Sequence, residues 1–117
     1  MVSLGGFNTL KLHKEFQSIY KKGKNIHTSS VVLFFLPQTG IRKIGFTATK
    51  KIGNAVKRNR AKRRLRALFC EYSHALQDGT YIFVAKQATV EVSYQNLHND
   101  FQKLLQRSKA LKEKSFD

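Results

Sequence analysis

The sequence has few acidic residues, and none at all between Glu15 and Glu71. It has 7 aspartates and glutamates and 22 lysines and arginines, which gives a formal net charge of +15. A surface of one sign repels itself and destabilises the fold unless a polyanion neutralises it. We therefore expect a nucleic-acid partner bound through its phosphates, with a merely basic surface as the alternative. The basic residues of the acid-free stretch are Lys21, Lys22, Lys24, Arg42, Lys43, Lys50, Lys51, Lys57, Arg58, Arg60, Lys62, Arg63, Arg64 and Arg66.

Cysteine and long apolar runs are also scarce. Cys70 is the only cysteine, which excludes a disulfide within the chain and a zinc site built from several cysteines. A reduced compartment is the natural setting for such a chain. No apolar run reaches the length of a membrane span, and residues 1–10 do not resemble a signal peptide. The sequence therefore predicts a cytoplasmic protein with no membrane partner.

The acidic residues and histidines that are present do not form a catalytic pattern. A protein nuclease needs a cluster of carboxylates that holds a metal ion, or an acid–base pair. The seven acids are dispersed over Glu15, Glu71, Asp78, Glu91, Asp100, Glu113 and Asp117. The four histidines are equally isolated, at His13, His27, His74 and His98. We therefore expect no catalytic residue in the protein, and no small-molecule substrate.

Length and composition are those of one folded unit. A chain of 117 residues that is 41% hydrophobic can bury a sizeable core. We therefore expect a single domain over residues 1–117. The segment 109–117 is polar and is expected to be a frayed tail.

Apolar residues that recur at spacings of three and four predict three helices. The first covers residues 10–20 and ends near Gly23. The second covers residues 54–76, with Asn54 as the N-cap. The third follows a cap at Ser93. The expected buried residues are Leu12, Phe16, Ile19 and Tyr20 in the first helix, Ala61, Leu65, Leu68, Phe69, Tyr72 and Leu76 in the second, and Tyr94, Leu97, Phe101, Leu104 and Leu105 in the third.

Stretches rich in β-branched and aromatic residues predict the strands. Residues 30–36 and 41–49 form a hairpin around the turn at 37–40, and a short extended piece at 24–29 adds a further strand. Residues 80–85 are apolar without interruption from Tyr81 to Val84, as in a strand buried on both faces. Helices alternating with four strands in this order indicate an α+β or α/β sandwich.

The densest run of charge, residues 50–66, falls largely on the second predicted helix. At about 100° per residue, with Leu65 at the middle of the buried stripe, Arg58 and Lys62 lie near the stripe and can form a rim beside the sheet. Guanidinium groups pair with phosphates and stack on bases, and the positive end of the helix dipole lies in the same place. The run predicts a nucleic-acid-binding surface, with a solvated charged face as the alternative. The residues that point away from the stripe are Asn59, Arg60, Arg63 and Arg66.

The same run, with Arg58-Asn59-Arg60 at its centre, resembles the signature of the bacterial ribonuclease P protein component family. It joins a strand end, an Ile-Gly-Asn-Ala-Val entry and an Arg-Asn-Arg-x-x-Arg-x-x-Arg helix. The resemblance extends over nearly the whole chain, through residues 16–20, Gly23, residues 31–36, Gly45 and residues 81–86. It implies an α-β-β-β-α-β-α sandwich of the α+β class, similar to a ribosomal-protein domain, with a four-stranded sheet.

The resemblance also implies two sets of RNA-binding residues. The basic set, which faces the catalytic RNA and the substrate, is Lys50, Lys51, Asn54, Lys57, Arg58, Asn59, Arg60, Lys62, Arg63 and Arg66. The second set lines a cleft for the single-stranded 5′ leader of precursor tRNA, and it comprises Phe16, Tyr20, Phe34 and Lys86. Aromatic rings stack on unpaired bases and a basic rim follows the phosphates. By spacing alone the three aromatic residues are expected in the core.

In that family an RNA subunit performs the Mg²⁺-dependent hydrolysis that gives the mature 5′ end of tRNA. The resemblance thus implies a non-catalytic protein subunit whose partners are ribonuclease P RNA and precursor tRNA. Mg²⁺ would be held mainly by the RNA, and Asn59 is a candidate contact to it through a water molecule. Two alternatives stay open: an RNA-scaffolding protein of similar fold, and a stand-alone metal-dependent nuclease, against which the dispersed carboxylates count.

Overall fold

The computed structural model describes residues 4–112, which form four α-helices and five β-strands. The strands are β1 (Asn8–Thr9), β2 (Lys24–His27), β3 (Val31–Pro37), β4 (Arg42–Ala48) and β5 (Gly79–Ala85). The helices are α1 (His13–Lys22), α2 (Ala55–Tyr72), α3 (Gln87–Glu91) and α4 (Tyr94–Arg107). Short 3-10 turns precede and follow α2, at Lys50–Ile52 and Ser73–Ala75.

The strands form a single mixed sheet in the order β1-β4-β5-β3-β2. Strand β5 is central: it pairs parallel with β4, to which α2 connects it, and antiparallel with β3. This confirms the α+β class and the strand buried on both faces. The predicted hairpin of residues 30–36 and 41–49 was wrong, because β5 lies between β3 and β4 in the sheet. The predicted count of four strands was one too low, because Asn8 and Thr9 pair with Lys43 and Ile44 of β4. A two-residue strand is too short to show an alternating pattern.

One face of the sheet is covered by α2 and α4 and holds the main core. The predicted stripe of α2 is fully buried at Ala61, Leu65, Leu68 and Phe69. Phe101 of α4 stacks on Phe83 of β5, with ring centroids 4.6 Å apart. The periodicity of α2 therefore predicted its buried side correctly, because a helix beside a sheet buries one continuous stripe.

Of the elements in residues 4–112, α1 alone lies on the other face, where it packs against a glycine. A Cβ atom on Gly45 of β4 would lie 2.6 Å from Cε1 of Phe16, so any side chain there would displace the Phe16 ring. Ile19 of α1 is buried with Leu10 and Ile82 in a second, smaller apolar cluster. Since α1 crosses only part of the sheet, the described residues leave much of this face uncovered.

Several boundaries and side chains differ from the sequence-based expectation. Helix α1 begins at His13, after Leu12, which is 55% exposed rather than buried. Tyr94 was predicted in the core but is 47% exposed. It stands in the first turn of α4, where its hydroxyl donates a hydrogen bond to Glu71 (2.7 Å). Both residues lie at helix ends. There the apolar spacing of the helix continues, but the adjacent layer of the fold no longer covers it.

The expectation of a frayed tail was wrong for residues 109–112. Ala110 is completely buried. Its carbonyl accepts a hydrogen bond from the N–H of Gln77 (2.8 Å), and Lys112 N–H donates to the carbonyl of Ala75 (2.8 Å). The polar side chains of this segment face solvent while its main chain is bound, a distinction that composition cannot make. Residues 113–117 lie outside the described part of the chain.

Arg42, one of the basic residues of the acid-free stretch, is a structural residue. Its guanidinium lies 4.0 Å from the ring centroid of Phe7 and donates to the carboxylate of Asp78 (3.1 Å). It also donates to three main-chain carbonyls, those of Gly5 (3.2 Å), Ser73 (3.1 Å) and Leu76 (3.3 Å). Arg42 thereby ties the N-terminal segment and the end of α2 to the sheet.

We expect acid to destabilise the fold through Glu15 and Asp78. The N–H of Leu12 and the ammonium of Lys43 lower the pKa of Glu15. The N–H of Gly40 and the guanidinium of Arg42 lower the pKa of Asp78. A carboxyl whose pKa falls on folding stabilises the fold above its unfolded pKa, at about 4. That stability is lost as the pH falls through the folded pKa.

Melting temperatures measured from about pH 6 to pH 2 should therefore fall with acid. The fall should be smaller in the double variant Glu15→Gln/Asp78→Asn, which is less stable at pH 6 but has no such carboxyls to protonate. An equal acid-induced fall in both proteins would show that other groups are responsible.

Candidate nucleic-acid interface

The basic helix begins with a closely defined turn. Asn54 is the N-cap of α2, as predicted, and its side chain accepts the N–H of Lys57 (3.0 Å). Gly53 has φ +131°, a conformation that favours glycine. Its carbonyl accepts a hydrogen bond from Nη1 of Arg58 (2.7 Å). Arg58 is therefore half-buried at the start of α2, on the rim that the helical spacing predicted. Part of its guanidinium is still available to a ligand.

The outer face of α2 is exposed and has no acidic partner among the described residues. Asn59, Arg60 and Arg63 are exposed, as are Lys57 and the pair Lys50 and Lys51 in the turn before the helix. Within residues 4–112, no lysine or arginine of the run 50–66 forms an ion pair with a carboxylate. The described residues therefore do not neutralise the positive potential here, so the surface suits a polyanion.

Two further residues of the basic set are placed less freely. Lys62 is half-buried on the side of α2. Arg66 is exposed, but its guanidinium carbon lies 5.4 Å from the ring centroid of Phe46, which is a cation–π distance. Arg66 therefore presents its guanidinium from a position beside β4.

An open groove lies on the uncovered sheet face, beside α1. It is lined by Tyr20, Phe34, Thr47, Ala48, Thr49 and Val84. The rings of Tyr20 and Phe34 are 4.8 Å apart at an interplanar angle of 72°. The strand register places Thr47 next to Val84 and Val84 next to Val32. The groove therefore offers two half-buried aromatic rings and a mostly apolar floor.

The structure places two predicted cleft residues outside this lining. The ring of Phe16 fills the space above Gly45, 6.4 Å from the ring of Tyr20, so it supports Tyr20 from the side. Lys86 follows the last residue of β5, and its ammonium donates to the carbonyl of Thr28 (3.2 Å). Ala85 pairs with Ala48, so Lys86 lies at the same end of the sheet as Thr49 of the groove.

Sequence reasoning missed the groove residues Thr47, Ala48, Thr49 and Val84. For Thr47 the signal was the alternation of β4, in which its neighbours Phe46 and Ala48 both pack against the main core. That alternation separates the two faces of a strand but does not reveal which face is left uncovered.

The groove and the basic helix are close neighbours in the fold. Strands β4 and β5 are parallel and both end at this edge of the sheet, at Ala48 and Ala85. The chain then runs from β4 through residues 49–54 directly into the N-terminus of α2. An RNA bound by the basic surface is thus next to the end of the groove.

The described residues contain neither a metal site nor a membrane span. Within residues 4–112, no three His, Cys, Asp or Glu side chains are grouped closely enough to hold a metal ion. None of the described helices is both long and apolar enough to cross a bilayer.

Comparisons with known proteins agree on one family. The family model for ribonuclease P matches residues 4–109. The chain is 44% identical to the ribonuclease P protein component of a Nitratiruptor species, over 92% of this chain and 97% of that protein. It is 36% identical to the component from Bacillus pumilus, over 86% of this chain and 87% of that protein. The RNase P protein of Staphylococcus aureus superimposes with a TM-score of 0.80 at 27% identity, covering 89% of this chain and 97% of that one.

Proposed function

This chain belongs to the family of ribonuclease P protein components, and from that premise we propose that it serves the 5′ maturation of tRNA as an RNA-binding subunit. In this proposal it assembles with ribonuclease P RNA and contacts precursor tRNA. The observation that carries the proposal is the exposed basic face of α2, without acidic partners in the described residues, beside an aromatic groove. The cytoplasmic location expected from the sequence stays a prediction.

The two surfaces suit two different kinds of RNA contact. The outer face of α2 presents Arg60 and Arg63 to the phosphates of folded RNA, where guanidinium groups make paired hydrogen bonds. The groove is open and lined by Tyr20 and Phe34, which suits the bases of a single strand, because rings stack on any base without reading its sequence. We assign the groove to the 5′ leader, with Lys86 as the residue that meets its phosphates.

We further propose that the protein supplies binding rather than chemistry. The described residues offer no set of donors that could hold Mg²⁺ by themselves, so the proposal assigns this ion to the RNA. Asn59, a single exposed amide among arginines, could reach it only through a water molecule. The protein would act by lowering the repulsion between two RNAs, which also reduces the Mg²⁺ concentration needed for their association.

Cleavage of precursor tRNA at low Mg²⁺ tests the proposal. A bacterial ribonuclease P RNA would be assayed with and without this protein, and the cleavage site mapped. We expect the protein to restore cleavage at the mature 5′ end. Tight RNA binding without such rescue would instead indicate an RNA-scaffolding protein. Cleavage by the protein alone, abolished by changing one named acid or histidine, would indicate a stand-alone nuclease.

We predict that Tyr20→Ala weakens binding of precursor tRNA with a long leader by about 5- to 150-fold, since stacking on one base contributes about 1–3 kcal/mol. Binding of a substrate with a one-nucleotide leader should change little. The measurement is the dissociation constant of each substrate from the assembled complex.

Tyr20→Phe, which keeps the ring, should bind like the native chain. Tyr94→Ala removes an exposed tyrosine from the first turn of α4, outside the groove lining, and should leave both constants unchanged. If Tyr20→Ala weakened both substrates equally, the groove would not be the site of the leader.

A further inference from the structure

Thr89 of α3 is completely buried and bonded on several sides. Its hydroxyl accepts the N–H of Lys86 (2.9 Å) and donates to the carbonyl of Ser30, at the start of β3. Its main-chain carbonyl accepts Nη1 of Arg64 (2.7 Å). One residue therefore connects the basic helix, the end of the sheet and the lysine at the end of the groove.

Arg64 differs from the other arginines of α2 in its direction. Its Nη1 also donates to the carbonyl of Val90 (3.0 Å), so the guanidinium lies over α3 instead of facing solvent. Arg63, its neighbour along the chain, is exposed. Although both contribute equally to the basic composition, Arg64 holds two structural elements together.

Lys86 gains a defined position from these contacts. A lysine side chain is long and loses considerable rotamer entropy when it is held in one place. Here the main chain of Lys86 is bound by Thr89, and its ammonium already donates to the carbonyl of Thr28 (3.2 Å). An ammonium has three donors, so protons remain for a phosphate that passes the end of the groove.

We propose that Thr89 and Arg64 are positioning residues for leader binding. Thr89 fixes Lys86 at the end of the groove, and Arg64 fixes Thr89 to the basic helix, so that the two RNA contacts keep a constant separation. This inference rests on the proposed function and adds the residues that join its two surfaces. Neither residue touches RNA in this proposal, which sets Arg64 apart from the remaining arginines of α2.

The test compares Thr89→Val, which keeps the shape but removes the hydroxyl, with Thr89→Ser, which keeps the hydroxyl. For Thr89→Val we expect the affinity for ribonuclease P RNA to change by less than about twofold, whereas the dissociation constant of a long-leader substrate rises about 5- to 10-fold. A one-nucleotide leader should show no such rise. Thr89→Ser should behave like the native chain.

A double-mutant cycle with Lys86→Ala separates positioning from general stability. If Thr89 acts through Lys86, then adding Thr89→Val to Lys86→Ala should weaken long-leader binding no further. A merely structural Thr89 would give the same additional loss in either background, and would lower the affinity for ribonuclease P RNA as well. Either result would overturn the proposal.

The arginines supply an independent, matched pair. Arg64→Met should reduce the preference for a long leader while ribonuclease P RNA still binds within about threefold, because only a structural contact is lost. Arg63→Met should instead lower the affinity for ribonuclease P RNA, whatever the leader length of the substrate. Equal behaviour of the two variants would contradict the role of Arg64. Absence of any leader-length dependence in the native chain would contradict the proposed function itself.

Discussion

Replacing Arg60 and Arg63 together by alanine is expected to weaken binding of ribonuclease P RNA by about 10- to 100-fold at moderate salt. Both guanidinium groups stand on the exposed face of α2, and within residues 4–112 neither is paired with a carboxylate. Each phosphate contact releases condensed counterions. The negative slope of log affinity against log salt should therefore become shallower by roughly 2. Titrations of the RNA at several salt concentrations measure both quantities.

The matched control is Lys103→Ala/Arg107→Ala. It removes the same two charges from exposed positions of α4, away from the proposed interface, and should reduce affinity only slightly through the lower net charge. The melting temperatures of both variants should stay close to that of the native chain, since exposed residues are replaced. Equal losses of affinity in the two double variants would mean that net charge, rather than the face of α2, determines binding.

Arg42→Ala is expected to have the largest effect on stability, a loss of about 2–4 kcal/mol in the free energy of unfolding. The substitution removes the cation over Phe7 and leaves the carbonyls of Ser73 and Leu76 without their donor. Such partly buried groups are costly to leave unpaired. Urea unfolding, monitored by circular dichroism, gives the free energy. The midpoint urea concentration should fall, while the dependence of the unfolding free energy on urea concentration should stay the same.

Lys43→Ala is the natural control for this prediction, because it is the next residue of β4. Lys43 also pairs with a carboxylate, that of Glu15 at 3.2 Å, but its side chain is 44% exposed compared with 25% for Arg42. An exposed ion pair contributes about 0–1 kcal/mol. If the two variants lost equal stability, the main-chain contacts of Arg42 would contribute nothing beyond its ion pair.

Arg42 also shows why composition overestimates an RNA-binding surface. In the sequence, Arg42 and Arg64 belong to one stretch of basic residues. In the fold, both donate hydrogen bonds to main-chain carbonyls. Their partners, such as Ser73 and Thr89, lie far along the chain and come close only after the sheet and helices have packed. No local pattern distinguishes an arginine with such partners from one that faces solvent.

The sequence by itself determined the features that depend on near neighbours along the chain. The stripe of α2, the caps at Asn54 and Ser93 and the central buried strand were all predicted, because helical spacing, capping and strand burial are encoded within a few residues. The run 50–66 was sufficient to indicate the family. The exposure of Arg60 and Arg63 followed from the same helical geometry.

Only the tertiary structure decided which surfaces stay open. It showed that α1 covers part of one sheet face, that Phe16 supports Tyr20 from above Gly45, and that Thr47 and Val84 complete the groove. It also placed Ala110 in the core and Tyr94 outside it. These outcomes depend on how the layers meet. Burial at these positions is set by residues distant in sequence, whose approach cannot be predicted from local spacing.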